Sequence, residues 1–308
     1  MKKIIVLLLG ALMTLGVLSG CDKKNDNDNK LKVVATTFPI YDWVKEILKD
    51  EDVSLLQDNG VDLHSYEPTV DDIAKINNSD VFMYVGGESD KWVDDVLKNI
   101  NKNVKVVNFL KVLGDSVKFE EEVDGVEHDH EHEEEYDEHV WLSLRNAKKC
   151  VEAIKEVLCE LDPTNMDRYE KNAQEYIEKL ELLDQKYMEV VEKAKNDTLV
   201  FADRFPFRYL VDDYNLKYYA AFSGCSTESE ASFNTITFLA KKLDELNLSS
   251  VMTIEGNNHK IADTVVKSTE KKNQEILTLN SMQGVIEEGS TYLSIMEENL
   301  EVLKKALN

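Results

Sequence analysis

Two of the six histidines in this 308-residue chain stand where a cation could be held. His64 lies in "GVDLHSYEPTVDD", a polar stretch that opens with glycine and contains a proline, and His139 lies in "DEHVWLS", just ahead of a helical segment. A neutral imidazole offers one ring nitrogen to a divalent metal, and two histidines presented from loops make half of such a site. A loop histidine serves equally as a solvated or hydrogen-bonded residue, so the pair alone leaves both readings open. Between the two, "FEEEVDGVEHDHEHEEEYDE" is an acidic insert over 119–138 without periodicity. Its His128, His130 and His132 alternate with acids, a pattern that gathers borderline metals at low affinity or simply forms a solvated charge run.

The elements that must position these residues alternate between strand and helix. "LKVVATTFPIYDWVKEIL" reads as strand, turn and amphipathic helix. The segments "DVSLLQ", "TVDDIAKINNS", "DVFMYVGG", "DKWVDDVLKNI" and "NVKVVNF" repeat that alternation, which argues for a parallel sheet flanked by helices. A second cycle starts at "TLVFADRFPFRYLVDDYNL" and closes with "TYLSIMEENLEVLKKAL". The expected fold is therefore α/β, with an N-terminal lobe over 31–160, a long linking helix over 161–196 and a C-terminal lobe over 197–308. In open α/β sheets ligands bind beyond the carboxyl ends of the strands, which is where His64 falls.

Lys2 and Lys3 precede an apolar run from Ile4 to Leu18, then Ser19, Gly20 and Cys21. That run of about 15 residues is shorter than the roughly 20 needed to span a bilayer, so residues 1–20 read as an export signal. "LSGC" resembles a bacterial lipobox, which makes Cys21 the lipid-modified N-terminus, and polar residues 21–30 read as a flexible tether. The expected location is extracytoplasmic, anchored to a bacterial cell membrane through that lipid. A formal charge of −24 repels nucleic acid and attracts cations. Cys150 and Cys159 sit nine positions apart on one expected helix, about 13 Å along its axis, too far for a disulfide.

"GVDLHSYEPTVDDIAKINNSDVFMYVGG", "DEHVWLS" and "TLVFADRFPFRYLVDDYNL" resemble, in order, motifs of the substrate-binding lipoproteins of zinc and manganese ABC transporters. The resemblance spans residues 31–308 and implies a two-lobe receptor with His64 and His139 as metal ligands. The family expects His or Glu near the end of the strand "TLVF", where this chain has Ala202, Asp203 and Arg204, so Asp203 is the expected third ligand. A fourth, a carboxylate at the end of a late strand, meets Asn280 here; Glu255, ending "VMTIEG", would supply the missing charge. Glu228, Glu230 and Cys225, in "GCSTESEAS", are lesser candidates.

The resemblance implies a monomeric receptor that captures Zn2+ between its lobes and hands it to an ABC permease driven by an ATPase. Mn2+ is the alternative cargo, since added oxygen ligands favour it over zinc. The histidine-bearing insert favours zinc, because manganese importers of the family generally lack it. A zinc hydrolase is the rival class, but His-Glu-x-x-His is absent and neither His64 nor His139 has an evident general base beside it. A surface adhesin with no metal role is a third reading, in which both histidines could be replaced without effect on growth under zinc starvation.

Overall fold

β-Branched and aromatic runs build both sheets. In this computed structural model, which describes residues 30–49, 52–57, 63–121, 135–224, 230–256, 258–284 and 286–308, β1 (Val33–Ala35), β2 (Val53–Leu55), β3 (Val81–Tyr84) and β4 (Lys105–Asn108) form a parallel sheet in the order β2-β1-β3-β4. The "VFMY" of β3 is buried throughout because helices cover both faces of the sheet. β5 (Thr198–Phe205), β6 (Lys217–Ser223), β7 (Ser250–Ile254) and β8 (Glu275–Leu279) form a second parallel sheet in the order β6-β5-β7-β8. The strand–helix alternation thus yields the expected α/β architecture. The export signal, the lipobox Cys21 and the tether over 21–29 lie outside the described residues.

Among the described residues the helices are α1 (Phe38–Leu48), α2 (Val70–Asn77), α3 (Lys91–Leu97), α4 (Phe109–Leu113), α5 (Leu144–Leu161), α6 (Met166–Glu192), α7 (Arg208–Asp213), α8 (Phe233–Glu245), α9 (Lys260–Ser268) and α10 (Tyr292–Ala306). Thr69 starts α2 with a capping box: its hydroxyl accepts from Asp72 N, and Asp72 Oδ2 accepts from Thr69 N. Helix α6 is 27 residues long and buries Tyr169, Ala173, Tyr176, Ile177, Leu180, Leu183 and Tyr187, a stripe at helical spacing. It packs against α5, α1 and α10, so it serves as a wall of the core rather than a free rod. Cys150 and Cys159 lie on the unbroken α5, both buried and both free.

The segment from Leu31 to Asn308 forms one compact unit. A single apolar cluster runs from Val33, Trp43 and Val81 on the first sheet's side to Phe201, Met252 and Leu279 on the second's, through Trp141, Tyr187 and Tyr292. Polar bonds lace the seam: Trp141 Nε1 donates to Ser281 O at 2.8 Å, Tyr292 OH to Trp141 O at 2.6 Å and Tyr187 OH to Met296 O at 2.6 Å. Tyr292 N donates to Asp42 Oδ2 at 3.0 Å, and the Tyr292 ring meets Trp43 edge-on at 5.1 Å between centroids.

Burial pushes the Asp42 carboxyl up to about 6 from 3.8, and the bond from Tyr292 N only partly opposes it. An acid raised on folding favours the fold fully below its unfolded value of 3.8, and that contribution is lost as pH climbs through about 6. Asp42→Asn keeps an acceptor for Tyr292 N and does not ionise. Its stability relative to wild type is expected to rise between pH 4 and pH 7 by up to about 3 kcal/mol in urea unfolding. The same offset at both pH values would refute the assignment.

Candidate metal centre

His64 sits in a single 3-10 turn, Leu63–Ser65, on the carboxyl side of β2. The chain leaving it is fastened by Tyr66 OH, which donates to Asp72 Oδ2 at 3.1 Å, and by the Thr69 capping box. The Nδ1 of His64 lies 2.8 Å from Ser89 Oγ, in the loop between β3 and α3. His139 is fully buried just before the turn Val140–Leu142 and helix α5, whose N-cap Ser143 donates to Asp213 Oδ2 at 2.6 Å.

Asp137 Oδ1 accepts from His139 N at 2.8 Å and lies 2.9 Å from His139 Nδ1. A carboxylate at Nδ1 favours the tautomer that carries its lone pair on Nε2. That Nε2 is buried without a hydrogen-bond partner among the described residues. The rings of His64 and His139 meet edge-on with centroids 5.6 Å apart. Two imidazoles on one tetrahedral zinc, with Zn–N near 2.0–2.1 Å, hold their ring centres roughly 5 Å apart, so the spacing suits a shared ion.

The surroundings are acidic and buried. Glu138 is 1 % exposed and accepts from Ser89 N at 2.8 Å through Oε1, while burial raises its pKa. Burial likewise pushes Asp90 up to about 7, with the Glu138 charge adding to the effect. Burial works against a charged His139 ring, but Asp137 and Glu138 overcome it and raise its pKa. The first lobe therefore offers two imidazoles, His139 backed by a carboxylate and His64 by a hydroxyl, a donor set suited to a borderline dication.

The second lobe presses on the same place. A Cβ at Gly224, just past β6, would come within 3.2 Å of His139 Cε1 and 2.9 Å of Phe205 O, so the close approach requires glycine. Trp141 stacks edge-on to His139 at 5.5 Å, and its indole N–H bonds Ser281 O in the loop after β8. The stem of the acidic insert is also clamped here. Phe119 bridges Tyr136 across an antiparallel pair, Glu121 pairs with Arg208 and accepts from Tyr218 OH at 3.1 Å, and Tyr209 OH donates to Asp137 O at 2.7 Å while accepting from Lys118 N at 3.0 Å.

The carboxylates expected from the second lobe have other partners. Asp203 sits where the β5–β6 register shifts between Phe201 and Arg204; its Oδ1 accepts from Arg204 N at 2.9 Å and its Oδ2 from Ile254 N at 3.2 Å. Glu255 accepts from Ser281 N, Ser281 Oγ, Gln283 N and Gly284 N at 2.6–3.2 Å, which closes the loop after β8. Asn280 accepts from Met282 N at 2.8 Å through its side chain, and Asn299 holds its main chain on both sides. Among the described residues no group of three or more His, Cys, Asp or Glu is gathered to hold a metal, so the pair His64 and His139 comes together without Asp203 or Glu255. Glu230 is exposed ahead of α8; Glu228, Cys225, His128, His130 and His132 lie outside the described residues.

Ser89, Asp137 and Glu138 were not singled out from sequence, nor was Gln283, whose buried side-chain amide has no hydrogen-bond partner among the described residues. Asp137 and Glu138 flank His139 directly, a proximity the sequence displays; Ser89 carries no such signal.

Comparison with known proteins identifies the family of the chain. The family described as "ZnuA: Zinc-uptake complex component A periplasmic" matches residues 33–306. The zinc-binding lipoprotein AdcA of Streptococcus pneumoniae serotype 4 is 36 % identical over 99 % of this chain, which spans 61 % of that relative's length. The high-affinity zinc uptake system protein ZnuA of Bacillus subtilis is 34 % identical over 98 % of this chain and 94 % of its own. The crystal structure of the Zn(II)-bound ZnuA-like domain of Streptococcus pneumoniae AdcA superposes with a TM-score of 0.72 at 32 % identity, covering 91 % of this chain and 99 % of that one. With nearly its whole length matched, the chain belongs to the ZnuA family of periplasmic zinc-uptake complex components.

Proposed function

We propose that this protein is an extracytoplasmic receptor, anchored through a lipid on Cys21, that captures Zn2+ with His64 and His139 and delivers it to an ABC permease and its ATPase. The observation that carries the reading is the His64–His139 pair, 5.6 Å apart between ring centroids, with a hydrogen-bonding partner at each Nδ1. Two imidazole ligands favour zinc over manganese, which prefers oxygen donors. The relatives named for zinc binding and zinc uptake support the same cargo. The protein binds and releases its ion and performs no catalysis. Release follows permease docking, which disturbs the contact of the Gly224 end of β6 with His139.

Competitive titration of the chain with Zn2+ is expected to give one tight site that His64→Ala and His139→Ala each weaken by at least about 100-fold. Asp203→Ala and Glu255→Ala are expected to lower the melting temperature of the apoprotein through lost loop closure and to change zinc affinity only a few-fold. Wild-type affinity in both histidine variants would end the proposal. Zn2+ at 100 times its Kd should stabilise the fold by about 2.7 kcal/mol. In cells, Cys21→Ser is expected to move the protein from the membrane fraction to the soluble one, and an unchanged distribution would exclude the lipid anchor.

A further inference from the structure

We propose that helix α7 of the second lobe holds His139 in place for the ion, with Tyr209 and Asp213 as positioning residues. The proposal rests on the reading of His139 as a zinc ligand and names how the second lobe acts on it. The two side chains grip the histidine's segment on both flanks. Tyr209 OH donates to Asp137 O at 2.7 Å, two residues before His139, and Asp213 Oδ2 accepts from Ser143 Oγ at 2.6 Å, four residues after it. Positions 209 and 213 are four apart on one short helix, so a single face of α7 carries both bonds. Tyr209 and Ser143 are buried, where a lost partner is not replaced by bulk water.

Each gripped residue leads directly to the ring. Asp137, whose carbonyl Tyr209 holds, places its Oδ1 2.8 Å from His139 N and 2.9 Å from His139 Nδ1. Ser143 is the N-cap of α5, its hydroxyl accepting from Asn146 N at 3.0 Å while it donates to Asp213. An imidazole binds a metal along one lone pair, so a small turn of the chain that carries it moves Nε2 off the ion. Helix α7 is itself fixed in the second lobe, where Tyr209, Leu210 and Val211 are buried between β5 and β6 in the chain and Val211 N donates to Phe207 O at 3.0 Å. A displacement of β5 and β6 therefore reaches His139 through its own main chain. Elsewhere in the seam Tyr187 OH donates to Met296 O at 2.6 Å, a buried tyrosine bond of the same kind that does not touch the histidine's segment.

The test compares variants of the full-length chain in detergent by competitive Zn2+ titration and by melting without metal. Tyr209→Phe, which removes only the hydroxyl, is expected to weaken Zn2+ binding about 10-fold, and Asp213→Ala to weaken it as well. Asp213→Asn keeps an acceptor for Ser143 Oγ and should keep wild-type affinity. Tyr187→Phe should lower the melting temperature and leave Zn2+ affinity unchanged, which a merely structural role for Tyr209 would match. In a His139→Ala background Tyr209→Phe should cost no further affinity, because it acts through the ring that is gone. Wild-type affinity in Tyr209→Phe, or a second tenfold loss in the His139→Ala background, would overturn the proposal. Wild-type affinity in His139→Ala would instead sink the capture reading. Amide hydrogen exchange over 137–143 without metal, expected to be faster in Tyr209→Phe than in Tyr187→Phe, decides the grip of α7 separately, and equal exchange would refute it.

Discussion

Everything in this molecule hangs on the indole of Trp141. Its N–H donates across the seam to Ser281 O, its own carbonyl accepts from Tyr292 OH, and its ring backs the imidazole of His139. His139 is thus packed into the core through Trp141 and held by Asp137 at its Nδ1. Opening the two halves widely would expose Trp43, Trp141, Tyr187 and Tyr292, at about 1.5–3 kcal/mol for each large side chain. A continuous core of that kind permits small displacements and penalises large ones, which confines relative movement of the two halves to local shifts.

Charge is distributed to match. On the histidine side Asp137 stands behind the His139 imidazole and orders its ring, with Glu138 and Asp90 buried close by. Carboxylates of the other lobe, Asp203 and Glu255, are consumed by main-chain N–H groups that a strand irregularity and a tight loop leave without partners. Buried donors demand acceptors, and an acid at a strand end is the nearest one available. The asymmetry between the lobes follows from that competition.

The same competition explains what the sequence disclosed. Strand and helix alternation was plain because burial on both faces writes apolar runs and amphipathic periods into the chain, and α6 announced itself by Tyr169, Ala173, Tyr176 and Leu180. His64 and His139 were legible as polar residues at loop positions beside strand ends. Asp203 and Glu255 looked equally suitable, since nothing in a linear sequence tells a carboxylate that faces an ion from one that closes a loop. Ser89 was invisible for a different reason: a serine becomes informative only when the fold brings its hydroxyl to a side chain 25 positions away and its N–H to another 49 positions away. Glu138 was hidden by its surroundings, because an acid at the end of an acidic run reads as one more surface charge.

Tyr209 binds both edges of the acidic insert, accepting from Lys118 N and donating to Asp137 O. The insert's two ends are therefore pinned to the same hydroxyl, so one side chain of α7 sets the separation of Lys118 from Asp137 and with it the direction in which the chain enters His139.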